Sequence, residues 1–325
     1  MALHIGIIGT GWFSKVHGDN LAAMDGVQIK AVGGTSAAKA QALADRYPGA
    51  IGFGNLADML DAQKLDAVYI CVPPMAHGEI EAQLIERGIP FFVEKPLATD
   101  LDTPLSILNK LQQKPLIHAV GYHLRYRESI RKMKETLEGR TIGMALGTWM
   151  GDMPQVAWWR DLQGSGGQFV EQTTHIVDLL RYTAGEIEEV YAAFGSRLMH
   201  EVHDNVTVPD VGTVTMKLKN GAVATVSNTC ILPGGVHEVG LHLYTDMGIL
   251  DWKSQQLEVT APDQKTTYHM QDDPYVAETE AFIHALRTGD TSRILSDYAD
   301  AVETQRVTCA ALESASTGQP VRLNP

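Results

Sequence analysis

The chain has 325 residues, 44% of them hydrophobic and 20% charged, the balance of a globular protein with enough length for two domains. Its 39 acidic residues outnumber 26 basic ones, giving a formal net charge of −13, and no basic run is present, which argues against nucleic acid as a partner. No apolar run approaches the ~18 residues that a membrane span requires, so no membrane association is expected.

Leu3, Ile5, Ile7 and Ile8 form a short apolar run that reads as a buried strand. Gly9-Thr10-Gly11-Trp12-Phe13-Ser14 follows, and residues 16–24 are compatible with a helix. A strand, a glycine turn and a helix start form the dinucleotide-binding pattern: Gly9 permits the turn and Gly11 clears a path for a pyrophosphate. The N–H groups and dipole of the helix attract that phosphate. Ser14 stands where the third glycine of the fingerprint belongs. An ordinary strand-to-helix turn is the alternative.

Residues 27–32 read as a second strand, which runs into Gly33-Gly34-Thr35-Ser36 with Lys39 shortly after. In NAD-selective domains a carboxylate at this point bonds the ribose 2′-OH. None is present here, and two hydroxyls and one ammonium are available for a 2′-phosphate. NADP(H) is therefore expected in preference to NAD(H), through Thr35, Ser36 and Lys39. Alternatively, Ser36 only caps a helix over residues 37–47 and Lys39 is a solvated surface residue.

The alternation of strand and helix continues through strands at 50–53 and 66–72, with a helix near 56–60 between them. Val72 leads into Pro73-Pro74, which cannot join a sheet ladder, and chain leaving that edge lies over the cofactor. His77 is expected on a following helix, residues 75–87, either at the nicotinamide or simply exposed. Residues 89–93 form a fifth strand ending in Glu94-Lys95-Pro96. This is read either as a surface ion pair or as a lysine beside the nicotinamide, oriented by Glu94. A helix at 101–112 and a strand at 116–121 close a doubly wound parallel α/β domain. The domains expected are 1–121 for dinucleotide binding and 122–325 for substrate and oligomerisation, with the closing helices as candidates to pack back on the first.

Tyr122-His123-Leu124-Arg125 follows that boundary, and helical patterning runs to Leu137. From Ile142 the period becomes that of a strand. Trp158-Trp159-Arg160-Asp161 precedes Gly164-Ser165-Gly166-Gly167, read as a flexible loop, and residues 169–182 read as one helix. On such a helix Glu171 and His175 share a face, with Asp178 in reach, which makes His175 an acid/base candidate. A structural histidine is the alternative. Beyond Glu189 the period is two, with a type I′ hairpin signal at Asn220-Gly221 and helices at 276–287 and 297–316. An α+β domain with a large, mostly antiparallel open sheet of five or six strands is expected. Its outer face suits a second subunit. Cys71, Cys230 and Cys309 are far apart and no C-x-x-C occurs, so neither disulfides nor a metal site are expected. A reducing compartment fits, and with the first strand starting at Leu3 the cytoplasm is the expected location.

The combination of Gly9-x-Gly11, Pro73-Pro74-x-x-His77, Glu94-Lys95-Pro96 and Gly166-Gly167-x-x-x-Glu171-x-x-x-His175-x-x-Asp178 resembles the Gfo/Idh/MocA oxidoreductases over essentially the whole chain. The resemblance implies a nicotinamide-dependent dehydrogenase or reductase acting on a sugar or polyol. It implies a cofactor site at Gly9, Thr10, Gly11, Trp12, Phe13, Thr35, Ser36, Lys39, Val72, Pro73, His77, Glu94 and Lys95. Lys95 matches the lysine that contacts the reacting oxygen, and His175 matches the usual proton donor and acceptor. Glu171 falls where many members carry Asp, a longer carboxylate that would bind neighbouring hydroxyls. His123, Arg125, Trp158 and Trp159 are expected to line the sugar site, and a homodimer or homotetramer to form through the second sheet. The other readings left open are an NAD-dependent glycosidase that oxidises its substrate transiently and a non-catalytic NADP-binding regulator.

Overall fold

The computed structural model describes residues 2–323. The chain divides into two compact units, one of Met1–Ala98, Asp102–His123 and Asp273–Val302, the other of Thr99–Leu101, Leu124–Asp272 and Glu303–Pro325.

The first unit holds six parallel strands, β1 (Leu3–Ile8), β2 (Val27–Gly33), β3 (Ile51–Phe53), β4 (Ala67–Ile70), β5 (Phe91–Val93) and β6 (His118–Val120), in the order β3-β2-β1-β4-β5-β6. This is the doubly wound α/β order, with its switch point between β1 and β4, where such sheets bind ligands. The strands are apolar on both faces because helices cover both: Ile5, Ile7, Val68, Tyr69 and Phe92 are all buried. Helix α1 (Trp12–Ala22) starts four residues earlier than the apolar pattern indicates, and α2 is Ala37–Ala44. The helix Pro274–Thr288 belongs to this unit and packs Phe282 and Ile283 into the same core as Tyr69 and Phe92.

The second unit holds nine strands: β7 (Ile142–Met150), β8 (Ile187–Gly195), β9 (Val211–Leu218), β10 (Val223–Thr229), β11 (Glu238–Thr245), β12 (Gly248–Lys253), β13 (Gln256–Ala261), β14 (Gln264–His269) and β15 (Val321–Arg322). Their order is β14-β13-β12-β11-β7-β10-β9-β8-β15, and every pairing except β7 with β10 is antiparallel. The sheet is larger than the five or six strands expected, because β14 opens on the polar run Gln264-Lys265-Thr266-Thr267 and shows no hydrophobic alternation, and β15 is two residues long. Helix Thr174–Ala184 covers one face, with Ile176 set so close to Gly147 that a Cβ there would lie 2.5 Å from it. At Asn220-Gly221 the hairpin forms, but only Gly221 has positive φ, so the turn is a three-residue loop with a glycine bulge and not type I′.

Candidate active site

At the end of β1 the chain turns through Gly9, whose φ of +113° suits glycine. A Cβ there would sit 2.1 Å from the Cys71 carbonyl oxygen, so the turn needs glycine on steric grounds as well. Gly11 caps α1 with no side-chain hydrogen bond, no acidic residue occupies the first turn, and a Cβ built on Gly11 meets nothing within 4 Å. The N-cap thus offers the first N–H groups of α1 no side-chain acceptor, and the space beside Gly11 is open. Trp12, 62% exposed, stands beside them and makes edge contacts with Phe13 and Tyr275.

At the neighbouring loop, Ser36 caps α2, its Oγ accepting from the Lys39 N–H at 3.3 Å. The hydroxyl proton remains available to a ligand, and Thr35 and Lys39 are exposed. A Cβ on Gly34 would lie 2.9 Å from Thr10 Cγ2, so the two loops adjoin.

After β4 the helix expected over 75–87 is interrupted. Pro74–Ala76 form a 3₁₀ turn and the α-helix begins at Glu79, because Gly78 takes φ +102°. His77 is therefore in the break and not on the helix. It is buried, and its Nδ1 shares a 2.6 Å hydrogen bond with Glu81. Val72 and Pro73 are half-buried at the same sheet edge. After β5, Glu94 shares a 2.6 Å hydrogen bond with His17 Nε2, and Lys95 is buried with its Nζ 5.9 Å from the centre of the Phe13 ring. The unit therefore brings together the glycine turn, Trp12, Phe13, Glu94 and Lys95. His123 also lies in it, its ring stacked 4.2 Å from Tyr275.

In the second unit the helix expected over 169–182 is two helices, Gln168–Glu171 and Thr174–Ala184. The Gln172 and Thr173 N–H groups both donate to the Gln168 carbonyl, which widens one turn between them. Glu171 and His175 thus belong to different helices, and the single-face argument does not hold. Glu171 accepts a 2.8 Å hydrogen bond from the Trp159 indole, and the buried His175 ring stacks on Trp149 at 5.5 Å. Trp159 is itself buried, while Trp158 is half-buried. The preceding glycines make a tight turn, not a loose loop: Gly166 and Gly167 both have positive φ and separate two short helices. Arg125 is buried and gives two hydrogen bonds to Asp178, at 2.6 and 2.8 Å, while its guanidinium lies 4.6 Å from the centre of the Tyr182 ring. Thr304 adds a third hydrogen bond to Asp178.

Several residues here escape a reading of the sequence. His17, Tyr275 and Glu278 are in the first unit around Lys95's neighbour Glu94, and Trp149 is in the second. Glu278 carries a signal: it shares the apolar spacing of Ala281, Phe282 and Ala285 on its helix, an unusual place for a carboxyl. His17 likewise falls on the buried face of α1 with Ser14 and Leu21.

The open helix N-terminus, the glycine-only turn against Cys71 and the absence of a carboxylate in the first turn of α1 fit the phosphates of a dinucleotide. Among the described residues no helix is long and apolar enough to cross a membrane.

The family model for the NAD-binding Rossmann fold of the Gfo/Idh/MocA oxidoreductases matches residues 3–122, and the model for the Gfo/Idh/MocA C-terminal domain matches residues 130–251. An uncharacterised oxidoreductase of Bacillus subtilis is 25% identical, covering 98% of this chain and 96% of its own. A myo-inositol 2-dehydrogenase of Thermotoga maritima is 25% identical over 70% of this chain and 68% of its own. The solved structure of a levoglucosan dehydrogenase in complex with NADH and levoglucosan has the same fold, at TM-score 0.90 and 21% identity, with both chains covered completely.

Proposed function

The chain belongs to the Gfo/Idh/MocA oxidoreductases, nicotinamide-dependent enzymes acting on CH–OH groups, and from that premise we propose that it moves a hydride between NADP(H), in preference to NAD(H), and a carbon of a sugar or polyol. The observation that carries the reading is the uncapped start of α1 with Lys95 Nζ beside its second residue. The substrate class is supported by relatives named for inositol and levoglucosan.

Gly9, Thr10, Gly11, Trp12 and Phe13 would hold the cofactor's pyrophosphate end, and Thr35, Ser36 and Lys39 its 2′-phosphate. The bound nicotinamide supplies or accepts the hydride. Lys95 hydrogen-bonds the reacting substrate oxygen and stabilises the negative charge that develops there. His175 takes the hydroxyl proton in oxidation and returns it in reduction. Glu171, oriented by Trp159, binds a neighbouring hydroxyl. Arg125 holds Asp178, so its contribution to sugar binding is through the backbone it anchors. The test is turnover of a polyol and sugar panel followed at the nicotinamide absorbance, with Lys95→Ala beside the parent. A steady cofactor change in the parent is expected. Product release without net cofactor change would favour the glycosidase reading, and binding without turnover the regulator.

We also propose that the open face of the second sheet joins subunits. Val223, Met144, Tyr244 and Ile249 lie in one cross-strand row, and Tyr191 is 49% exposed. Such a row is apolar surface that association would cover. Analytical ultracentrifugation of Met144→Glu should show a shift toward monomer; an unchanged mass would refute this surface.

A further inference from the structure

Next to Lys95, the first unit buries three titratable groups together. His17 comes from α1, Glu94 follows β5, and Glu278 comes from the helix Pro274–Thr288. They are 0%, 4% and 1% exposed, and one side-chain nitrogen or oxygen from each lies within 4.8 Å of the others. His17 and Glu94 are hydrogen-bonded to each other. Neither oxygen of Glu278 has a hydrogen-bond partner in the protein, nor does His17 Nδ1. The seat is shaped for Glu94: a Cβ on Gly121 would fall 2.9 Å from its Oε2.

Two ionised carboxylates buried this close repel, and each has lost its water. A proton on Glu278 removes both penalties. Burial, then Glu94, then Asp273 hold the Glu278 carboxyl well above its usual 4.5. Burial, with Glu94 and Glu278, also pushes up the Cys71 thiol at the end of β4. The titratable groups facing Glu278 are thus His17 from α1, Glu94 after β5, Cys71 after β4 and, on its own helix, Asp273.

The cluster touches the Lys95 seat from two sides. Glu94 directly precedes Lys95, and its N–H donates to the Ile70 carbonyl. Phe13, under the Lys95 ammonium, stands one helical turn before His17 on α1.

We infer that Glu278, as the neutral acid, packs beside the His17–Glu94 pair without setting a second charge against it and is a positioning residue for Lys95. Its effect on turnover rests on the proposed role of Lys95; its effect on stability does not. Losing the proton to solvent sets a second carboxylate against Glu94 and disturbs the seat of Lys95. Because the folded state binds this proton more tightly than the unfolded chain, the stability it contributes is full below the ordinary carboxyl value. That stability is lost as pH rises through the raised one.

The experiment compares the parent with Glu278→Gln, a neutral isostere, in the full chain. Melting temperature of the cofactor-free protein is followed from about pH 5 to about pH 9, together with kcat/KM for the best-used polyol of the panel. The parent should fall behind the variant by several degrees toward the alkaline end. Its kcat/KM should fall relative to the variant's toward that end. Parallel melting curves would overturn the inference. So would a rise in melting temperature on adding zinc or magnesium chloride that the variant abolishes, since the cluster would then be a metal site. If Glu278→Gln does not fold, Glu94→Gln removes the repulsion that helps to hold the Glu278 carboxyl up, and should make the alkaline loss of stability smaller and complete at lower pH; an unchanged loss overturns the inference. Diverging melting curves with near-normal turnover in Lys95→Ala would sink the role of Lys95 alone.

Discussion

Two buried carboxyl groups, one in each unit, show what burial does and does not decide. Asp210 and Glu278 are each 1% exposed. Burial pushes the Asp210 carboxyl up, but the N–H groups of Leu198, Met199 and Arg197, together with His200, outweigh it and hold the group below its usual value. Glu278 meets no donor and is held above its own. At equal exposure, it is the donors that hold Asp210 down, and Glu278 has none to oppose its burial. Asp178 is likewise met by donors, with Arg125 and Thr304 giving it three hydrogen bonds. In the second unit Asp178 and Asp210 are met by donors and serve as scaffold. In the first, Glu278 meets none and stands near the lysine proposed for chemistry.

The sharpest way to break that contrast is Asp178→Ala. It strands the Arg125 guanidinium in the core, and about 3–5 kcal/mol of stability should be lost, measured by denaturant unfolding. A loss below about 1 kcal/mol would mean that the network is not scaffold. Lys95→Ala should do the reverse, lowering turnover by about 10²–10⁴-fold while the melting temperature barely moves. Turnover close to the parent's would remove Lys95 from the mechanism.

Asp210→Asn sharpens the comparison from the acid side. The depressed carboxyl contributes stability above its ordinary 3.8 that is lost as pH falls toward the lower folded value. The variant should cost about 1–3 kcal/mol near neutrality and lose that acid-side dependence in calorimetric scans. An undiminished acid limb would assign it to other carboxylates. Smallest is Lys39→Ala, expected to weaken NADPH by a few-fold while leaving NADH unchanged, since an exposed ammonium makes a modest contribution. Equal weakening of both would show that Lys39 does not read the 2′-phosphate.

Much of the fold was legible because its signals are local. The glycine turn, the apolar runs of the parallel strands and the period-two stretches each depend on neighbouring residues, and both sheets appear where those patterns place them. Strands β14 and β15 escaped because one opens on Gln264-Lys265-Thr266-Thr267, with no apolar alternation, and the other is two residues long. The helix through Glu171 was misread because periodicity does not reveal a widened turn at Gln172-Thr173. The partners of the site residues were out of reach for a different reason. Glu278 meets His17 across 261 residues of chain, and only the packing of its helix on α1 joins them. Trp159 reached Glu171 through the turn at Gly166-Gly167, which a run of glycines presents as slack chain.

The most direct measurement is a nicotinamide fluorescence titration of the parent and of Gly11→Asp with NADPH and NADH. Asp fits the extended backbone at Gly11 with no clash and is a good helix cap, so the variant should fold at least as well as the parent. Its carboxylate would occupy the place taken by phosphate. The expected result is saturable binding to the parent, tighter for NADPH, and none to the variant. A variant that titrates like the parent, or a parent that binds neither cofactor, would contradict the account.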